Sequence, residues 1–85
     1  MGDVLLEFKI TTEQQDRLYI IEEKIKNMDD AKLNSVKREP FVFGMQMIMA
    51  SFIVPDKEGM IDALEAKLTA IKEVGNVENT KMTLI

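Results

Sequence analysis

The segment between Asp3 and Ile10 alternates between an apolar and a polar face. Glu7 and Lys9 fall on the polar face. The apolar positions are Val4, Leu6, Phe8 and Ile10. A period of two residues is typical of a strand with one buried face. We therefore predict a half-buried β-strand over this segment.

Two later segments have the spacing of three and four residues that is typical of amphipathic helices. Thr12 is a candidate N-cap of the first helix, which we expect to end between Asn27 and Asp30. Asp56 precedes the second helix, and the turn Gly75-Asn76 follows it. The apolar positions are Leu18, Ile21, Ile25 and Met28 in the first helix, and Ile61, Leu64, Leu68 and Ile71 in the second.

Three further segments are predicted to be strands. Leu33 to Glu39 is polar, as expected at a sheet edge, and Pro40 ends it. Met45 to Val54 is apolar on both faces, which is typical of a central strand, and Val77 to Ile85 is the last strand. The order βαββαβ favours an α+β ferredoxin-like sandwich, in which both helices cover one face of a four-stranded antiparallel sheet.

The composition excludes several kinds of chemistry. The 85 residues suit a single domain, residues 1–85, and they include no Cys and no His. Thiol nucleophiles, disulfides, thiolate or imidazole metal sites and the usual proton shuttle at neutral pH are therefore absent. We expect the protein to have no catalytic residues and to bind no metal or cofactor.

Charge and hydropathy restrict the possible partners. The net charge of −4 opposes nonspecific binding to a nucleic-acid backbone. The N-terminal residues lack a basic segment followed by an apolar core, and the apolar-rich stretch from Phe41 to Val54 is too short to span a bilayer. We expect a soluble cytoplasmic protein that binds neither nucleic acid directly nor a membrane.

Phe41 and Phe43 stand on a predicted turn, where solubility alone favours polar residues. Two interpretations are open for each. Either the ring folds back and closes the end of the core, or it anchors a protein interface, where aromatic side chains are enriched. Gly44 allows the sharp turn that the second interpretation requires. One of the two rings can close the core while the other anchors an interface.

The predicted central strand places methionines on the sheet face without helices, if Phe8 and Ile48 point towards the helices. These are Met45, Met47 and Met49. They either cover the sheet, meet a second copy of it, or form a flexible apolar partner surface.

Charged residues offer little further chemistry. Lys81 either protects an edge strand from pairing or has a functional role. The neighbouring carboxylates Glu22-Glu23 and Asp29-Asp30 diverge on a helix, so a solvated face is expected rather than an acid/base pair.

Five short segments, spread over nearly the whole chain, match a known family in order and spacing. They are Met1-Gly2-Asp3-Val4, Glu39-Pro40-Phe41-Val42-Phe43-Gly44, Val54-Pro55-Asp56, Glu58-Gly59 and Val74-Gly75-Asn76-Val77-Glu78. Together they resemble the archaeal translation elongation factor 1-beta family of guanine nucleotide exchange domains.

The resemblance implies a ferredoxin-like domain that binds the GDP-bound GTPase elongation factor 1-alpha, loosens its magnesium and phosphate contacts, and lets GTP replace GDP. Such a domain performs no bond chemistry, since it stabilises a nucleotide-poor state of its partner. It also implies a single monomeric exchange domain without the amino-terminal extensions of the eukaryotic subunits.

The resemblance also implies candidate partner-binding residues. Phe43 matches the aromatic that precedes the family's Gly, here Gly44, and enters an apolar pocket of the GTPase in eukaryotic relatives. Those relatives use a Lys near the C-terminus at the magnesium site, where this sequence has Leu84, with Lys81 three residues earlier. The candidate set is Phe41, Phe43, Gly44, Lys81 and Leu84.

Two other classes share this topology. RNA-binding domains display aromatic and basic residues on their central strands, where this chain has Met and an acidic total. Small regulatory domains pair through their sheets to bind metabolites. An RNA-binding domain and a sheet-paired dimer therefore remain the alternatives.

Overall fold

The computed structural model describes residues 2–29 and 31–85, which form a four-stranded sheet and two helices. Met1 and Asp30, which appear in the expectations above, lie outside the described residues. The elements are β1 (Asp3–Thr11), α1 (Leu18–Lys26), β2 (Lys32–Pro40), β3 (Gln46–Pro55), α2 (Met60–Thr69) and β4 (Asn76–Leu84). The strand order is β2-β3-β1-β4, and all neighbours are antiparallel. The predicted ferredoxin-like fold is confirmed.

The two central strands form the base of the core. β1 pairs with β3 from Asp3 opposite Pro55 to Ile10 opposite Ile48, so their apolar rows share one face. Phe8 and Phe52 meet edge to face across this layer, with ring centroids 6.2 Å apart. The helices add their apolar stripes above it. The buried apolar residues are Val4, Leu6, Phe8, Ile10, Leu18, Ile21, Ile25, Ile48, Ala50, Phe52, Val54, Leu64, Leu68 and Val77.

The predicted N-cap of the first helix is wrong. The Thr12 hydroxyl accepts the Gln14 N–H at 3.0 Å and donates to the Glu73 carbonyl at 2.6 Å. It therefore joins the end of β1 to the segment before β4. A single 3₁₀ turn, Gln15–Arg17, follows, and α1 begins only at Leu18.

The second helix is shorter than its apolar pattern predicts. It begins at Met60, after Gly59 with φ of 84°, rather than directly after Asp56. It ends at Thr69, whose hydroxyl donates to the Glu65 carbonyl at 2.8 Å. Ile71 lies beyond the helix but still packs against the core.

Two ion pairs connect α1 to other parts of the domain, one to β2 and one to the segment before β4. Arg38 on β2 donates twice to Glu22 on α1, at 2.7 and 3.2 Å, and the hydrogen bond to Glu22 raises the pKa of Arg38. Lys24 on α1 donates to Glu73 at 2.7 Å and lowers the pKa of Glu73, whose side chain is 10% exposed.

Over the described ranges 2–29 and 31–85, neither helix has the length and apolar character needed to cross a membrane.

Replacing Lys24 by Met should make the stability of the domain less dependent on acidic pH. Because Lys24 lowers the folded-state pKa of Glu73, the pair stabilises the fold at neutral pH. That stabilisation is lost as the pH falls below the ordinary glutamate value of about 4.3. Urea unfolding between pH 7 and 3 should show a difference between parent and variant that shrinks on acidification. Lys26→Met, an exposed change on the same helix, is the control; an equal difference at every pH would contradict the prediction.

Candidate functional site

A tight turn between β2 and β3 carries the two candidate phenylalanines. The Phe41 N–H donates to the Met45 carbonyl at 2.8 Å, and the Met45 N–H donates to the Val42 carbonyl at 3.0 Å. Phe43, with φ of 55° and ψ of 34°, and Gly44, with φ of 76°, lie at the centre of this turn. Two central residues of positive φ are typical of a type I′ turn, which favours Asn-Gly.

Phe43 is exposed and conformationally strained. Its surface is 98% exposed, so the interpretation that it closes the core is wrong. A left-handed conformation costs an ordinary L-residue about 1–2 kcal/mol. Phe43 therefore costs the isolated domain stability while adding no packing to the core. Strained, exposed residues of this kind are characteristic of functional sites.

Gly44 is required because of its backbone conformation, not because a side chain at this position would clash with its neighbours. A Cβ placed there would meet no atom within 4 Å, yet its φ of 76° is a region that side chains rarely adopt. The glycine thus allows the chain to reverse immediately after Phe43.

Phe41 packs against the domain instead of projecting from it. It is half-buried, and the Lys9 ammonium lies 4.8 Å from its ring centroid, within the range of a cation–π contact. Together with Met45 it lines a groove of about 510 Å³ at the end of the sheet. The two phenylalanines of one turn therefore have different environments.

Leu84 lies at the opposite end of the sheet. It is opposite Val4, which in turn is opposite Val54 near the end of β3. The eight residue steps from Gln46 to Val54 span roughly 27 Å, in a domain whose longest extent is 41 Å. Leu84 is 71% exposed. The candidate residues therefore do not form one cluster.

Lys81 lies between these two ends, on the other face of β4 from Leu84. It is exposed and opposite Glu7, on the face without helices. Within the described part of the chain, its ammonium group makes no ion pair. The Glu7 carboxylate instead accepts a hydrogen bond from Thr80 at 3.2 Å. Lys81 is therefore not a positional replacement for a cation at residue 84.

The helix-free face is more polar than the methionine pattern suggests. Met47 and Met49 are half-buried, and Met49 lies between Lys9 and Lys37 in the sheet register. Ser51, 5% exposed on this face, bonds Ser35 at 2.7 Å between hydroxyl oxygens. Lysine and serine side chains therefore interrupt the apolar positions of this face.

The exposed large apolar side chains lie mainly at the two ends of the sheet. Those described are Tyr19, Val42, Phe43, Met82, Leu84 and Ile85. The candidates predicted from the sequence include Phe43 and Leu84 but not Tyr19, Val42, Met82 or Ile85. The repeat of apolar residues at 82 and 84 on a predicted edge strand was the available signal, since edge strands are only partly covered.

Comparison with known protein families identifies the family of this chain. Residues 3–85 match the family described as the EF-1 guanine nucleotide exchange domain. The chain belongs to this family. Elongation factor 1-beta of Thermoplasma volcanium is 32% identical over 88 residues, and that of Methanospirillum hungatei is 33% identical over 90 residues. Both alignments cover 100% of this chain and of the relative.

The resemblance to this exchange-domain family is thus confirmed along the whole chain. The expected role in guanine nucleotide exchange during translation elongation is confirmed with it. Among solved structures, the ACT domain from the GTP pyrophosphokinase of Chlorobium tepidum superposes with a TM-score of 0.65, covering 92% of this chain and 99% of that domain. Its identity of 18% shows a shared fold alone.

Replacing Phe43 by Asn should stabilise the isolated domain by about 1 kcal/mol, because Asn tolerates the left-handed conformation that strains Phe. Chemical denaturation of both proteins measures this difference. Phe41→Asn is the matched control in the same turn and should be destabilising, because it removes the contact with Lys9. Equal losses of stability in the two variants would contradict the assignment of strain to Phe43.

Proposed function

We propose that this exchange domain accelerates GDP release from elongation factor 1-alpha by contacting one GTPase molecule with both ends of its sheet. Phe43 anchors one end, and the C-terminal residues around Leu84 act at the other. The observation that carries the proposal is the concentration of exposed apolar side chains at these two ends, roughly 27 Å apart along the strands.

The geometry of Phe43 supports its role as the anchor. A fully exposed aromatic ring contributes a large apolar area when it enters a pocket. The two positive-φ residues and the two hydrogen bonds of the turn hold its backbone in one conformation before binding. Little conformational freedom is then lost on association, which favours affinity.

The C-terminal end acts without a cation at residue 84. A lysine there would compete with magnesium for acidic and phosphate ligands, and Leu84 cannot do so. Met82, Leu84 and Ile85 instead present an exposed apolar surface, which is suited to displacing apolar segments around the nucleotide. Lys81 is the only basic residue on β4 and lies about 10 Å back along the strand. It is the remaining candidate for a direct charge effect.

The two contacts with the GTPase have different roles in nucleotide exchange. Once Phe43 is bound, the C-terminal end is held near its target at a high effective concentration. Exchange then follows from preferential binding to the nucleotide-poor state of the GTPase, with no bond made or broken by this domain. The anchor should therefore control affinity, and the C-terminal end should control the maximum rate.

Phe43→Ala should raise the half-saturating concentration of the domain by about 30-fold, as expected for loss of an aromatic hot spot worth about 2 kcal/mol. Its maximum rate should stay near that of the parent. The measurement is release of a fluorescent GDP analogue from elongation factor 1-alpha, with excess unlabelled nucleotide and increasing concentrations of the domain. Tyr19→Ala, at another exposed aromatic, is the control. An unchanged saturation curve for Phe43→Ala would exclude the anchor.

Leu84→Asp should lower the maximum rate of GDP release by about tenfold with a smaller effect on half-saturation, because the carboxylate opposes both apolar contact and nearby phosphates. Lys81→Ala, measured in the same assay, should have a weaker effect. A parental rate in Lys81→Ala would remove Lys81 from the site. A parental rate in Leu84→Asp would contradict a C-terminal contribution.

A further inference from the structure

We propose that Gln15 is a positioning residue for the Phe43 turn, because its side-chain amide acts as one additional residue of β1 and fixes the first residue of β3. The inference rests on the proposed anchoring function of Phe43. Gln15 itself lies outside the turn, in the 3₁₀ turn that follows β1.

The amide of Gln15 forms a paired contact with the backbone of Gln46. The Gln46 N–H donates to Gln15 Oε1 at 2.7 Å, and Gln15 Nε2 donates to the Gln46 carbonyl at 3.1 Å. The same Nε2 donates to the Thr12 carbonyl at 2.8 Å. One side chain thus joins the end of β1 to the start of β3.

The contact replaces a missing pair of the sheet. Backbone pairing between β1 and β3 reaches Ile10 opposite Ile48, so the position opposite Gln46 would be Thr12. β1 ends at Thr11, and the Thr12 carbonyl accepts Gln15 Nε2 instead of a backbone N–H of β3. Gln15 then supplies both the acceptor and the donor that a backbone residue would have offered.

The neighbouring strand cannot take over this function. On the β2 side, the Met45 carbonyl accepts the Phe41 N–H, and alternate residues of an antiparallel strand pair with opposite neighbours, so the backbone groups of Gln46 point towards β1. Beyond Gln46, the turn has two backbone hydrogen bonds within residues 41–45 and the contact of Phe41 with Lys9. A two-stranded ribbon without further support is marginally stable. Gln15 therefore sets how firmly the turn is fixed to the sheet.

Losing this contact should loosen the orientation of Phe43 without removing the turn itself. Loss of preorganisation weakens binding, whereas the maximum rate depends on the opposite end of the sheet. For Gln15→Ala we expect the half-saturating concentration in GDP release to rise about fivefold, the size expected when one more group must be ordered on binding. The maximum rate should not change.

Gln15→Glu separates positioning from a general loss of stability. A glutamate has the same length and still accepts the Gln46 N–H, but its ionised form cannot donate to the Gln46 and Thr12 carbonyls. Its half-saturating concentration should fall between those of the parent and Gln15→Ala. Gln14→Ala, at the adjacent exposed glutamine, is the matched control and should behave like the parent.

Amide hydrogen exchange of the free domain gives an independent readout by NMR. In Gln15→Ala, exchange of the Gln46 amide should accelerate about tenfold, since its acceptor is lost, while the Phe52 amide in the core keeps its protection. Unchanged exchange at Gln46 would overturn the proposal. So would a saturation curve for Gln15→Ala that overlays the parent while that of Phe43→Ala is shifted.

These results distinguish the inference from the proposed function. A parent domain that fails to accelerate GDP release from an active GTPase overturns the proposed function. In that case, exchange at Gln46 still decides whether Gln15 fixes the turn.

Discussion

The antiparallel register of β1 on β3 is the constraint on which the rest of the structure depends. It places Leu6 opposite Phe52 and Phe8 opposite Ala50, so that two apolar rows become one surface for the helices. A shift of one residue would turn these rows towards solvent. The same register sets the site, because β3 begins directly after the Phe43 turn and ends level with Leu84, with β1 between them. The sheet therefore separates the two candidate contacts by a fixed length.

The distribution of apolar surface follows from this arrangement. One face of the middle of the sheet is buried beneath the helices, whereas the Phe43 turn and the end of β4 keep large apolar side chains exposed. A domain optimised for stability alone would have Asn-Gly in the turn and polar residues at the end of β4. The strained aromatic and the exposed C-terminal residues of this chain are instead suited to binding a protein partner.

Local patterns in the sequence were sufficient to predict the fold. The alternation from Val4 to Ile10 gave the first strand, and the polar segment after Lys32 gave an edge strand. These features depend on neighbours in the chain. The role of Thr12 was not predictable in this way, because its acceptor, Glu73, lies 61 residues away.

The candidate site was predicted only in part, for the same reason. The sequence indicated Phe43 and Leu84, but the sign of φ at Phe43 and the separation of the two residues required the register. The pairing of Gln15 with Gln46 joins residues 31 apart and has no local pattern. Met82, opposite Leu6 in the sheet, is 57% exposed, which its apolar character alone does not predict.

The central claim is that one GTPase contacts both ends of this sheet. The most direct measurement is an NMR titration of isotopically labelled domain with GDP-bound elongation factor 1-alpha, following each backbone amide. The account predicts that amides at Phe43 and Gly44 and those at Leu84 and Ile85 change together and saturate at one equivalent of GTPase. Changes confined to one end, or to the helix-free face around Met49, would contradict it.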